Sequence, residues 1–215
     1  MYNIILFDLD GTLTESGIGI INSILFALER MGIKESDKDK LKKFIGPPLA
    51  ESFMKNYGFT DDQAKEAVAL CQEYLKTKGI YEAPLYDGIE EVLKTLKALG
   101  KSLYVATSKP EVFARQILQY LQVDDYFADI VGSNMDGTRI KKDEIISFLL
   151  DKNKIPDKSK VVMVGDREHD ILGAKIAGID SIGVLYGYGD YDELQIAGAT
   201  YIVETLADVV EITKK

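Results

Sequence analysis

Two aspartates stand two positions apart in the stretch "FDLDGTLT", Phe7 to Thr14, directly after the apolar run Ile4–Leu6. Each carboxylate raises the cost of ionising the other. A buried strand that delivers Asp8 and Asp10 to one spot therefore needs either solvent or positive charge between them. Other residues able to do chemistry follow other apolar runs: Thr107, Ser108 and Lys109 after "SLYVA", Lys141 and Lys142 in "GTRIKKDEI", and Asp166 and Asp170 in "VVMVGDREHD". Four acids alone would repel. A Mg²⁺ ion resolves this, because it takes oxygen ligands from a few carboxylates and keeps positions for water or phosphate oxygens. A hydroxyl, a lysine and turn amides then suit the other phosphate oxygens. Such a set fits phosphoryl transfer, which is mostly positioning and charge stabilisation, and a carboxylate is itself a competent nucleophile.

Those residues converge only if particular elements carry them. Short runs, apolar on both faces, recur at Ile4–Phe7, Leu103–Ala106, Asp129–Val131, Val161–Val164, Ser181–Leu185 and Tyr201–Val203. That is the pattern of parallel strands covered by helices. Amphipathic segments alternate with them; Ile89, Val92, Leu93, Leu96 and Leu99 form a helical stripe closed by Gly100 in the position that favours a left-handed cap. Pro110 marks the first turn of the next helix. The pattern predicts a doubly wound, mostly parallel, Rossmann-like α/β sheet. In such sheets ligands bind beyond the carboxyl ends of the strands, where all the residues above would lie.

The alternation breaks once. From Gly17 to Pro84 no strand pattern is present. Ile20, Ile21, Ile24, Leu25 and Leu28 make one helical stripe, and Ala64, Ala67, Val68, Cys71 and Leu75 another, with Thr60 and Gln63 spaced as a capping box. The expected organisation is a catalytic core of residues 1–16 and 85–215 with an all-helical insert, residues 17–84. Cys71 lies within an apolar stripe and reads as packing.

Composition excludes several classes. The chain has 215 residues, 46% of them apolar, and a net charge of −9. Nucleic acid needs a basic face, and an anionic membrane surface is disfavoured on the same grounds. No run approaches the roughly 20 apolar residues of a membrane span, and the N-terminus lacks the features of a secretion signal. One cysteine cannot form an internal disulfide, which fits a reducing cytoplasm. A single histidine, His169, rules out a histidine-rich zinc site.

In order and spacing, Asp8-Leu9-Asp10-Gly11-Thr12-Leu13, then Thr107, then a lysine, then Gly165-Asp166 with Asp170 resemble the four motifs of the haloacid dehalogenase superfamily of phosphatases. The helical insert looks like that family's mobile cap. Within the family the chain is most similar to phosphoglycolate phosphatase-like and 5′-nucleotidase-like proteins, through "GDREHD" and "VLYGYG". The resemblance implies that Asp8 attacks phosphorus, and that Asp10 protonates the leaving oxygen and then deprotonates water. It places Asp8, Asp10 (through its main-chain carbonyl), Asp166 and Asp170 around Mg²⁺. Thr107, Ser108 and Lys142 would bind the substrate phosphate. The family often has Lys-Pro at the third motif and this chain does not; Lys142 opens the helical pattern, while Lys141 and Lys109 remain alternatives.

The expected activity is hydrolysis of a small phosphorylated metabolite, phosphoglycolate first and a nucleoside monophosphate second, by a cytoplasmic monomer or homodimer. A sugar phosphomutase of the same superfamily and a silent binding protein on this fold are the competing readings. His169 reads as exposed or structural, because Mg²⁺ prefers oxygen. "GYGDY", Gly187 to Tyr191, reads as a surface turn, and "ESDKDKLKK" as a solvated face. Gly46, Pro47 and Pro48 form either a loop over the site or a helix break. Tyr81, Tyr86 and Tyr188 either line the pocket or pack.

Overall fold

In a computed structural model, which describes residues 1–214 and only the main chain of Lys38, six parallel strands form one sheet in the order β3-β2-β1-β4-β5-β6. They are β1 (Ile4–Phe7), β2 (Ser102–Pro110), β3 (Phe127–Ser133), β4 (Val161–Gly165), β5 (Asp180–Val184) and β6 (Tyr201–Val203). Successive side chains point to opposite faces. Ile5, Phe7, Leu103 and Val105 therefore join a core with helices α5 (Ile89–Ala98), α6 (Glu111–Tyr120) and α10 (Leu206–Lys214). Leu6, Tyr104, Ala106 and Met163 face the other way, against α7 (Lys142–Lys152) and α8 (Glu168–Ala177). The short helix α9 (Tyr191–Ala197) packs on α8 through Ile171, Leu194 and Ala197. Ile5, Leu6 and Phe7 are fully buried, each contributing about 1.5–3 kcal/mol, which anchors the strand that ends in Asp8.

Strand order reverses between β1 and β4, and a crevice opens at such a switch point. Asp8 follows the first of these strands and Asp166 the second. Strand β2 runs further than its apolar residues suggest. After Ala106 pairs with Val131, the next partner is Pro110 with Ser133. The intervening Thr107-Ser108-Lys109 makes an irregular excursion at the strand's carboxyl end. Pro110 is thus the residue before α6, one position earlier than its helix-start reading.

Residues 17–84 carry four α-helices, α1 (Gly17–Arg30), α2 (Lys38–Lys42), α3 (Leu49–Tyr57) and α4 (Asp61–Thr77), and a single 3-10 turn at Gly79–Tyr81. They enclose a separate apolar cluster containing Ile24, Leu28, Phe44, Phe53 and Cys71. Both halves of the Thr60–Gln63 capping box are present, at 3.3 and 3.0 Å. The charged run before α3 is not wholly solvated, since Leu41 within it is fully buried. The two passes of chain that join this unit to the sheet lie side by side: Glu15 N–H donates to Pro84 O at 2.8 Å, and Tyr86 N–H to Leu13 O at 3.1 Å. Among the described residues no helix is long and apolar enough to cross a membrane.

Candidate active site

The turn after β1 folds the two aspartates back on themselves. The amides of Thr12, Leu13 and Thr14 all donate to Leu9 O, and Gly11 N–H donates to Thr14 O. Gly11 has φ +84°, and a Cβ there would overlap the Asp166 carboxylate. Both facts require glycine. Gly11→Ala should cost about 1–2 kcal/mol in backbone strain and displace Asp166. Thermal unfolding and Mg²⁺ titration calorimetry of that variant should show a lowered Tm and metal affinity weakened at least about tenfold. Wild-type values for both would contradict the geometry.

Asp8, Asp166 and Asp170 are buried, and one oxygen of each lies within 4.8 Å of the others. Lys142, on the first turn of α7, sits among them. Its Nζ is 2.8 Å from Oδ1 of Asp8 and 2.8 Å from Oδ1 of Asp170, and it donates to Ala106 O at 3.0 Å. The carboxylate contacts are ion pairs by distance; neither oxygen receives a hydrogen bond of good geometry. Asp166 is held by Thr12 Oγ1 at 3.0 Å and by the Tyr188 amide at 2.8 Å. Asp170 reaches back from the first turn of α8 to accept from Arg167 N–H at 3.1 Å.

Three buried carboxylates around one ammonium leave an excess of negative charge. Burial pushes Asp8 up to about 6; Lys142 opposes this and Asp170 adds to it. Burial, then the charges of Asp170 and Asp8, push Asp166 up to about 8. Burial alone would depress Lys142, yet Asp170 and Asp8 hold it above its ordinary value. The hydrogen-bond-deficient Oδ1 atoms of Asp8 and Asp170, with all-oxygen donors, fit a hard divalent cation. The residues present therefore suit a metal of that type.

Asp10 does not join this cluster. Its Oδ2 pairs with Lys109 Nζ at 2.9 Å, with both side chains largely buried. Asp8, Asp10, Thr107, Ser108 and Lys109 line one cavity of about 90 Å³. Its opposite wall comes from residues 17–84: Ile20, Ser23, Phe44, Leu49, Leu75 and the Gly46-Pro47-Pro48 turn. That turn is thus part of the site's enclosure as well as a helix break. Lys142 lies inside the carboxylate cluster, Lys109 on Asp10, and Lys141 is exposed. His169 is half-buried and belongs to neither the cluster nor the cavity lining.

The stretch Gly187–Tyr191 corrects its reading as a surface turn. A Cβ on Gly187 or Gly189 would overlap atoms of Asp166, while the Tyr188 amide holds that carboxylate. Tyr188 OH accepts from Gly17 N–H at 2.7 Å, so this residue ties the carboxylate cluster to the start of α1. Tyr186 OH donates to Thr12 O at 3.0 Å and packs edge-on against Tyr86. Tyr81, by contrast, is exposed and packs on Tyr120. The glycines at 187 and 189 were the available signal for this close approach.

Comparison with known proteins agrees with the fold. The sequence profile of the haloacid dehalogenase-like hydrolases matches residues 5–184. A 5′-nucleotidase of Pseudomonas aeruginosa is 47% identical over 211 residues, covering 98% of this chain and 95% of its own. A tyrosine-protein kinase of Mycobacterium tuberculosis is 36% identical, covering 93% of this chain and 67% of its own. The crystal structure of a predicted phosphatase from Clostridium acetobutylicum superposes with a TM-score of 0.96 at 44% identity, each chain fully covered. The chain belongs to the haloacid dehalogenase-like hydrolase family, among its phosphoric monoester hydrolases.

Proposed function

We propose that this enzyme is a Mg²⁺-dependent phosphatase that hydrolyses a small phosphomonoester through a phosphoaspartyl intermediate on Asp8. The observation that carries the reading is the cluster of Asp8, Asp166 and Asp170, with Lys142 paired to Asp8 and Asp170, next to a cavity lined by Asp8, Asp10 and Thr107. Residues 17–84 act as its cap and residues 1–16 and 85–215 as its core.

In the first step an Asp8 oxygen attacks phosphorus as the bond to the leaving oxygen breaks, and Asp10 gives that oxygen a proton. In the second, Asp10 takes a proton from a water that attacks phosphorus, and the bond to Asp8 breaks to release inorganic phosphate. Thr107, Ser108 and Lys142 hold the phosphate oxygens. Lys109 fixes the Asp10 carboxylate from the side. Asp8, Asp166, Asp170 and the Asp10 main-chain carbonyl would hold Mg²⁺, which would supply the positive charge that lets an anionic phosphoryl group approach three carboxylates. Cytoplasmic action is consistent with Cys71, a free thiol that burial pushes up to about 12.

The cavity wall favours a nucleoside monophosphate over phosphoglycolate. Among the described residues, those of 17–84 contribute no charged side chain to it, and the lysine that lines it, Lys109, is already paired with Asp10. A second carboxylate on the substrate would be buried without a partner. An uncharged leaving group with apolar faces meets Phe44, Pro47 and Leu49 at no such cost.

The test is phosphate release from 5′-nucleoside monophosphates, phosphoglycolate and sugar phosphates, each with Mg²⁺ or EDTA. We expect Mg²⁺-dependent release, with kcat/KM for the best nucleotide at least about tenfold above phosphoglycolate. Preference for phosphoglycolate would overturn the substrate reading. No release from any ester would overturn the hydrolase reading. Isomerised sugar phosphate or phosphorylated tyrosine would then direct attention to transfer instead of hydrolysis.

A further inference from the structure

One ionic side chain crosses from the strand-end loop beside the carboxylate cluster to the opposite wall of the cavity. Arg167 stands between Asp166 and Glu168, yet its guanidinium points away from both the acid cluster and bulk water. Its Nη1 donates to Ile45 O, and its Nε donates to Glu193 Oε1 at 2.8 Å. Glu193 also accepts from Glu168 N–H at 2.7 Å. That carboxylate is therefore held by Arg167 and by the first amide of α8. The arginine side chain is only 14% exposed.

Ile45 is fully buried in the apolar cluster of residues 17–84 and immediately precedes Gly46-Pro47-Pro48. Gly46 has φ +103°, and a Cβ there would stand 2.9 Å from Arg167 Cγ. The glycine thus lets the arginine stem lie directly against the turn. The two prolines make the turn stiff, so holding the carbonyl at its start fixes where Pro47 and Pro48 stand above Asp8 and Asp10.

From this geometry we infer that Arg167 is a positioning residue for specificity: it clamps the Gly46–Pro48 wall against the substrate's leaving group. The arginine touches neither phosphate nor carboxylate cluster through its side chain. Its effect is confined to the part of the substrate that reaches the wall. This rests on the phosphatase reading for its kinetic consequence, but the clamp itself does not.

The kinetic arm compares a nucleoside monophosphate with acetyl phosphate, whose leaving group is too small to use the wall. Arg167→Ala should lower kcat/KM for the nucleotide about tenfold to a hundredfold, mostly through KM, as loss of one charge-assisted hydrogen bond allows. It should change acetyl phosphate turnover less than about twofold. Arg167→Lys should recover part of the loss, because an ammonium reaches one acceptor and not both. Gly46→Ala should reproduce the same selective loss from the other side of the contact. An equal fall on both substrates would overturn the inference, since it would place the effect on the carboxylate cluster next to Arg167.

The second arm needs no turnover. Hydrogen exchange of the metal-free, substrate-free wild-type chain and Arg167→Ala should show faster exchange in the variant at residues 44–50, with β1 and β4 unchanged. Unchanged exchange at 44–50 would overturn the clamp. If the wild type released no phosphate from any ester, the phosphatase reading would fall while this arm still decided the contact.

Discussion

Asparagine in place of Asp8 should abolish turnover, by about 10⁴-fold or more, and should leave the metal-free protein at least as stable as the wild type. The first expectation follows from the nucleophilic role proposed for Asp8: an amide cannot form the acyl phosphate, and no neighbouring acid is placed to substitute, because Asp10 is turned onto Lys109 and Asp166 is engaged by Thr12 and Tyr188. The second follows from the charge count. Asp8 and Asp170 share one buried lysine while Asp166 lies beside them, and removing one negative charge relieves repulsion in a site of low dielectric. In EDTA, Tm should rise by a few degrees, about 1–2 kcal/mol at roughly 2–4 °C per kcal/mol for a chain of this size. With Mg²⁺ the advantage should shrink or reverse, since the wild type then has the better ligand set. Calorimetric scans with and without metal decide the matter. A folded variant with substantial activity, or one with a lowered Tm in EDTA, would contradict the charge accounting.

Lys142→Met is the opposite case. It keeps the length and apolar stem of the side chain but leaves Asp8 and Asp170 buried without their cation. Breaking a buried pair in this way costs about 3–5 kcal/mol, or roughly 6–20 °C in Tm. Added Mg²⁺ should restore part of that loss, because a bound cation replaces some of the missing charge. It should not restore activity, which we expect to fall about 10²–10³-fold or more, since the phosphate oxygens lose the cationic donor proposed for them and keep only Thr107 and Ser108. Thermal scans in EDTA and in Mg²⁺, beside phosphate release, separate the two effects. A Tm within a degree of wild type in EDTA would show that Lys142 is not the counter-ion of the cluster.

The sequence was most legible where spacing alone set position. Strands β1 and β6 begin and end as their apolar runs do. Asp8, Asp166 and Asp170 converge because parallel strands put their carboxyl ends at one edge, a consequence of topology that the alternation of strands and helices already implied. The Thr60–Gln63 cap was legible because it is local. Contacts that depend on irregular backbone were not. Lys109 meets Asp10 only because β2 departs from regular pairing after Ala106, and no side-chain periodicity announces such an excursion. Leu41 was hidden by the charges around it, although a single apolar residue in a charged helix is often its anchor. The Gly187–Tyr191 stretch misled because glycine serves exposed turns and close approaches equally; only the position of Asp166 distinguishes them.

The most direct test of the account is whether Asp8 carries the phosphoryl group. Wild-type enzyme mixed with Mg²⁺ and a nucleoside monophosphate labelled on phosphorus, quenched in acid within milliseconds and digested, should yield a labelled peptide containing Asp8. Hydroxylamine should release that label, as it does from an acyl phosphate, and Asp8→Asn should carry none. Turnover with no labelled peptide at any quench time, or label that survives hydroxylamine, would contradict a phosphoaspartyl mechanism on this residue.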